Sequence, residues 1–151
     1  MAAMDYAGYL ALLDSLCSTL DQLAGVEREK TAAVRGDDLK TLNECMKKEQ
    51  AFALSLRGLE QKRLPALAQL GLGGVPLGGL AAHYPADMQL KARETVERLQ
   101  SSYRVYASAA EVARSTLECN LHQIEKIIRD MGVDPADNPG PPPSMRTDIR
   151  T

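Results

Sequence analysis

Residues 9 to 42 read YLALLDSLCSTLDQLAGVEREKTAAVRGDDLKTL, and the fold turns on this stretch. Tyr9, Leu13, Leu16, Leu20, Leu23, Glu27, Lys30 and Val34 follow one another in steps of four and three. That spacing places one stripe along one side of a helix, and the seam turns polar at Glu27 and Lys30. Leu12 and Ala24 widen it. Gly36-Asp37-Asp38 then interrupts the run. Gly36 suits the C′ position past a helix end, and Asp37 or Asp38 suits the next N-cap. A second stripe starts at once with Leu39, Leu42, Met46, Glu49, Ala53, Leu56, Glu60, Arg63, Leu67 and Leu70, flanked by Phe52 and Leu59. Two long runs with so few linking residues predict an antiparallel helical hairpin, with Val34 near Leu39, Leu23 near Glu49 and Leu13 near Glu60. Pro65 lacks a backbone donor and is expected to bend or unwind the second helix near Gln61.

The segment Gly71 to Gly79 ends that helix. No strand precedes it and no Gly-Lys-Ser/Thr follows, so it reads as a flexible crossover loop and not as a phosphate cradle. After Pro85 a third seam runs through Ala92, Val96, Leu99, Tyr103, Tyr106, Ala110, Ala113, Leu117, Asn120, Ile124, Ile127 and Met131. Leu121 and Ile128 add a second row, and Gly132 closes it. Helices are therefore expected near 5–35, 38–70 and 86–131. A third helix of about 45 residues spans roughly 68 Å, against roughly 45–50 Å for each hairpin arm. It outruns the hairpin and leaves apolar surface without an internal partner. The fold class is all-α: an antiparallel hairpin plus a long third helix, forming a three-helix coiled-coil-like bundle. Residues 1–132 read as the helical domain. Residues 133–151, with prolines at 135, 139, 141, 142 and 143, read as a flexible, disordered Pro-rich tail. Met145 and Ile149, four apart in that tail, are a second candidate recognition element.

Composition agrees with helix. The 151 residues include no Trp, one Phe and five Tyr, so the aromatic and β-branched residues that sheet cores favour are scarce. With 18 basic and 20 acidic residues the net charge is −2, and no basic cluster marks a nucleic-acid face. Met1 to Tyr9 lacks the basic start of a secretory signal, and no apolar run approaches the ~20 residues of a membrane span. A cytoplasmic location is the default expectation, with Cys17, Cys45 and Cys119 reduced and without metal-ligand spacing. Glu118, His122 and Glu125 fall short of a di-iron set. No nucleophile elbow appears. The chain reads as no enzyme, with no cofactor, no metal site and no small-molecule substrate.

The run from Leu20 to Asp37, with Leu20-x-x-Leu23-x-x-x-Glu27-Arg28-Glu29-Lys30 and then Gly36-Asp37, resembles the FlgN-like flagellar export chaperones. The likeness continues through Leu39-x-x-Leu42, Lys48-Glu49-Gln50-Ala51, Leu56-Arg57-Gly58-Leu59-Glu60-x-x-Arg63 and Leu70-Gly71-Leu72. In the third helix Asn120-Leu121-x-x-Ile124-x-x-x-Ile128 also fits. Pro65 and the proline-rich tail depart from the family pattern. The resemblance implies a type III flagellar export chaperone that shields amphipathic terminal helices of hook–filament junction proteins (flagellar hook-associated proteins). It would deliver them to the flagellar export gate without inserting into the membrane itself. The unpartnered face of the third helix supplies the candidate client-binding residues: Tyr103, Tyr106, Leu117, Leu121, Ile124 and Ile128. The alternative is a structural coiled-coil spacer or tether with no chaperone role.

Overall fold

The computed structural model describes residues 5–132. The tail with Met145 and Ile149 lies outside the described residues. Within them the regular structure is helical: α1 (Tyr6–Arg35), α2 (Leu39–Gln69) and α3 (Gln89–Asp130), with single 3-10 turns at Leu77–Gly79, Ala81–His83 and Ala86–Met88. The all-α bundle of a hairpin and a long third helix is therefore observed.

α1 is the shared element. It packs along α2 on one side and α3 on the other, while α2 and α3 approach each other far less closely. Its expected stripe is buried from Tyr9 through Leu13, Leu16, Leu20, Leu23 and Glu27 to Val34, and only Lys30 is half-buried. Two neighbours demand a wider face than one seam, so Leu10, Cys17, Ala24 and Val26 are buried as well.

α2 faces a single neighbour and buries little, fully only Cys45, Ala66 and Leu67. Here the expected stripe is corrected. Leu39, Met46 and Ala53 are exposed, and Cys45, Phe52 and Leu59 point inward instead. Glu49, expected opposite Leu23, reaches Lys30 at 3.0 Å, about two turns further along α1. At the far end Arg63 stands against the buried Tyr9 hydroxyl, which closes no hydrogen bond of normal geometry. α2 also continues to Gln69 without unwinding at Pro65. Gln61 and Pro65 are both exposed, so water can take the carbonyl that proline leaves unbonded.

The crossover from α2 to α3 is not a loose loop. Leu80 and Tyr84 are almost wholly buried, and Leu72, Leu77 and Ala81 pack against the same core. The Tyr84 ring meets Tyr6 edge-on at 4.8 Å, and its hydroxyl donates to the Tyr6 carbonyl at 3.0 Å. This fixes the start of α3 at the start of α1, so the two run parallel.

Both hairpin ends close by the same device. After α2, Gly71 takes φ +74° while its N–H bonds Ala68 O and the Leu72 N–H bonds Leu67 O. After α1 the equivalent bonds run from Asp37 to Val34 O and from Asp38 to Ala33 O. The left-handed position, expected at Gly36, therefore falls on Asp37 at φ 53°. Asp38 fixes this register, because its carboxylate caps α2 by accepting from Thr41 N at 3.1 Å and Thr41 Oγ1 at 2.6 Å. Asp37→Gly should relieve the left-handed conformation and stabilise the protein by about 0.5 kcal/mol. Asp38→Ala should lose the cap and cost about 1 kcal/mol. Thermal melts of the two variants are expected to move in opposite directions, and equal or reversed shifts would contradict this account of the turn.

Candidate functional site

Arg98 of α3 lies between Asp14 and Asp21 of α1, at 3.3 and 3.7 Å. The same parallel register brings the end of α1, at Val34 and Arg35, beside Ser115 and Thr116. α3 then continues to Asp130, about 20 Å beyond the hairpin tip at 1.5 Å per residue. The expected overhang is thus real, and it stays apolar. Leu121 is 50% exposed, Ile124 47%, Ile127 57% and Met131 74%.

Under this overhang lies an open groove of about 780 Å³, floored by Val34, Val112, Ile124 and Ile127, with Asp37 and Cys119 at its edge. A second groove of about 640 Å³ adjoins it through Arg35 and Val112 and runs back between α1 and α3. Its floor is Ala32, Val105, Ala109 and Val112, and Arg28, Arg35 and Arg104 rim it.

The six candidate contact residues do not share one environment. Tyr103 and Leu121 are exposed, and their separation of 18 residues is five helical turns, so they share a flank of α3. Ile124 lines the larger groove. Leu117 and Ile128 are half-buried, and Tyr106 packs against the core cluster. Sequence reasoning missed Val105 and Val112, which form a floor seven residues apart. The signal was present in that spacing, but it lies off the main seam. Cys17 and Cys45 are buried and Cys119 is exposed, all free. Among the described residues no group of three His, Cys, Asp or Glu is placed to hold a metal ion.

Midway along the bundle the polar seam is the most unusual packing. Glu27 is 4% exposed. Lys30 Nζ lies 3.0 Å from Glu49 Oε2 and 3.9 Å from Glu27 Oε2, and Tyr106 stands close by. Burial pushes the Glu27 carboxyl up to about 7, and the neighbouring Glu49 carboxylate adds to this while Lys30 opposes it. Glu49, although itself desolvated, is held below its ordinary value by hydrogen bonds from Glu27 and Lys30. Below about pH 7 the pair thus favours a shared proton and a single negative charge, which Lys30 balances.

A family model described as FlgN protein matches residues 4–138. The chain belongs to the FlgN family. No curated protein and no solved structure matches it. Membership carries the family's general role, that of a flagellar export chaperone. Among the described residues of this FlgN-family chain, no helix is long and apolar enough to cross a membrane.

Two expectations follow for the FlgN-family bundle. A carboxyl whose folded value is raised stabilises the fold fully below its unfolded value of 4.5, and that stability is lost as pH rises through about 7. Wild-type melting temperature should therefore fall between pH 5 and 8, whereas Glu27→Gln should be nearly flat and more stable than wild type at pH 8. A wild-type profile as flat as the variant's would refute the buried-proton assignment. Burial also raises the Cys17 and Cys45 thiols. A thiol reagent at neutral pH should modify Cys119 alone in the native protein and all three cysteines after unfolding, as read by peptide mass mapping.

Proposed function

We propose that this FlgN-family chain binds an amphipathic terminal helix of a hook–filament junction protein on the α3 overhang, and carries it in the cytoplasm to the export gate. The observation that carries the reading is the overhang itself. Leu121, Ile124, Ile127 and Met131 recur at helical spacing beyond the hairpin tip, where no described part of the chain covers them. Exposed apolar surface of this kind is a docking site for a partner helix. Tyr103, Leu117 and Ile128 extend the surface along α3, with Tyr106 at its inner edge. While the client helix lies there it is unavailable for self-assembly, and mass action keeps the junction protein monomeric. The work is non-catalytic: what the surface supplies is apolar area and register.

The test uses Leu121→Asp/Ile124→Asp. Both side chains are about half exposed, so the double variant should keep its helicity and melt within a few degrees of wild type. Each new carboxylate would be desolvated by a docked helix, so affinity for a junction-protein C-terminal segment should fall at least tenfold. Leu13→Asp, placed in the wholly buried core, should instead unfold the protein. Full-affinity capture of the client by the folded double variant would end the overhang assignment. Concentration-dependent self-association without client capture would favour the spacer reading.

A further inference from the structure

We infer that the groove between α1 and α3 is a second recognition surface, built for an amphipathic partner helix whose apolar stripe is flanked by carboxylates. The reasoning starts from charge. Arg28, Arg35 and Arg104 are exposed around this groove, and among the described residues none of them makes an ion pair or hydrogen bond. Elsewhere on α3, Arg98 has Asp14 and Asp21 and Arg114 has Glu111 and Glu118, while Arg93 and Arg129 make no ion pair among the described residues but stand singly, away from both grooves. No acidic residue lines the α1–α3 groove. Arg28 and Arg104 have no carboxylate around this depression, the Asp37 and Glu111 carboxylates near Arg35 line only the adjoining groove, and the net positive rim complements an acidic partner.

Spacing identifies the partner as a helix. Arg28 and Arg35 lie seven residues apart on α1, and Val105 and Val112 lie seven apart on α3. The groove therefore repeats at about 10.5 Å, the rise of one heptad. An entering helix with apolar residues at three- and four-residue steps would set them between Ala32, Val105 and Val112, as a fourth member of the bundle. Glu or Asp residues seven apart on its flank would then meet Arg28 and Arg35 in turn, with Arg104 closing the opposite side. Guanidinium groups suit this task, since each can grip a carboxylate through two parallel hydrogen bonds. A nucleic acid would satisfy the arginines but leave the valine and alanine floor uncovered. Continuity with the larger groove under the overhang gives a path from Arg104 to Ile127, about 35 Å long, or roughly three heptads.

This inference takes its biological occupant, a client helix, from the proposed function, but the groove can be tested without any client. Two fluorescent synthetic helices of about three heptads share one apolar stripe. One carries Glu at the flanking positions and its twin carries Lys. The full-length protein should bind the Glu-flanked helix roughly tenfold more tightly or better, and added salt should erode the difference. Arg28→Glu/Arg104→Glu changes only exposed residues, so its circular dichroism should match wild type. Its preference should invert toward the Lys-flanked twin. Equal binding of the twins, no binding of either, an unchanged preference in the reversed variant, or an oligonucleotide binding as tightly as the Glu-flanked helix would each overturn the inference. Capture of a junction-protein segment runs in parallel. If the twins are discriminated but the segment is not captured, the client reading falls and the groove stands. If the segment is captured equally by wild type and reversed variant while the twins are not discriminated, the groove falls and the client reading stands.

Discussion

The bundle depends on α1 being buried from two directions at once. α2 and α3 are each organised by what they lay against it, and neither has a second long partner of comparable extent. A helix so placed needs a broad apolar face, and α1 has one: Leu10, Cys17, Ala24 and Val26 fill the space beside the main stripe of Tyr9, Leu13, Leu16, Leu20 and Leu23. Each full burial of a leucine is worth about 2 kcal/mol, so most of the apolar driving force is concentrated in this one element. The remaining faces of α2 and α3 are then released from structural duty.

That release leaves α3 free to carry the proposed client surface. A helix fixed by its first half can extend its second half past the hairpin without losing its anchorage, and the anchorage here is strong. Tyr84 locks against Tyr6, Leu80 is enclosed, and Arg98 lies between two aspartates. Halfway along, the Glu27–Lys30–Glu49 cluster interrupts the apolar packing. Buried ionisable groups cost stability relative to hydrophobic replacements but reject shifted registers, in which a charge would face leucine. The cluster thus aligns α1 with α2, while the tyrosine lock aligns α1 with α3.

Much of this was legible in the sequence because heptad spacing is a direct record of burial. The α1 stripe was read correctly nearly throughout, as were the hairpin, the parting of α3 from it and the Gly132 stop. Reading failed where two stripes competed. In α2, Leu39-Leu42-Met46-Ala53 and Leu42-Cys45-Phe52-Leu59 both step by three, four or seven, and only contact with α1 selects the second. The crossover was misread because glycine and proline were given more weight than Leu72, Leu77, Leu80 and Tyr84 between them. Asp37 took the left-handed position from Gly36 because the N-cap on Asp38 counted for more than glycine's freedom. The apolar rows of the candidate surface were visible as periodicity. Its arginine rim was not, since the three residues come from two helices about 70 positions apart and only folding brings them around one groove.

The tyrosine lock also sets the order of events when the chain first folds. Contacts across the hairpin, such as Glu29 with Cys45, close spans of 16 residues, whereas the Tyr84 hydroxyl reaches back 78 residues to Tyr6. Each doubling of a closed span costs about 0.6 kcal/mol, so the longer closure is disfavoured by roughly 1.4 kcal/mol, about a factor of ten. During synthesis α1 and α2 leave the ribosome before α3 exists, and the α3-facing side of α1 stays wet until the last third of the chain arrives. For that interval the nascent hairpin presents a leucine-rich face to its surroundings, the condition in which a protein is itself most in need of the protection that export chaperones give to others.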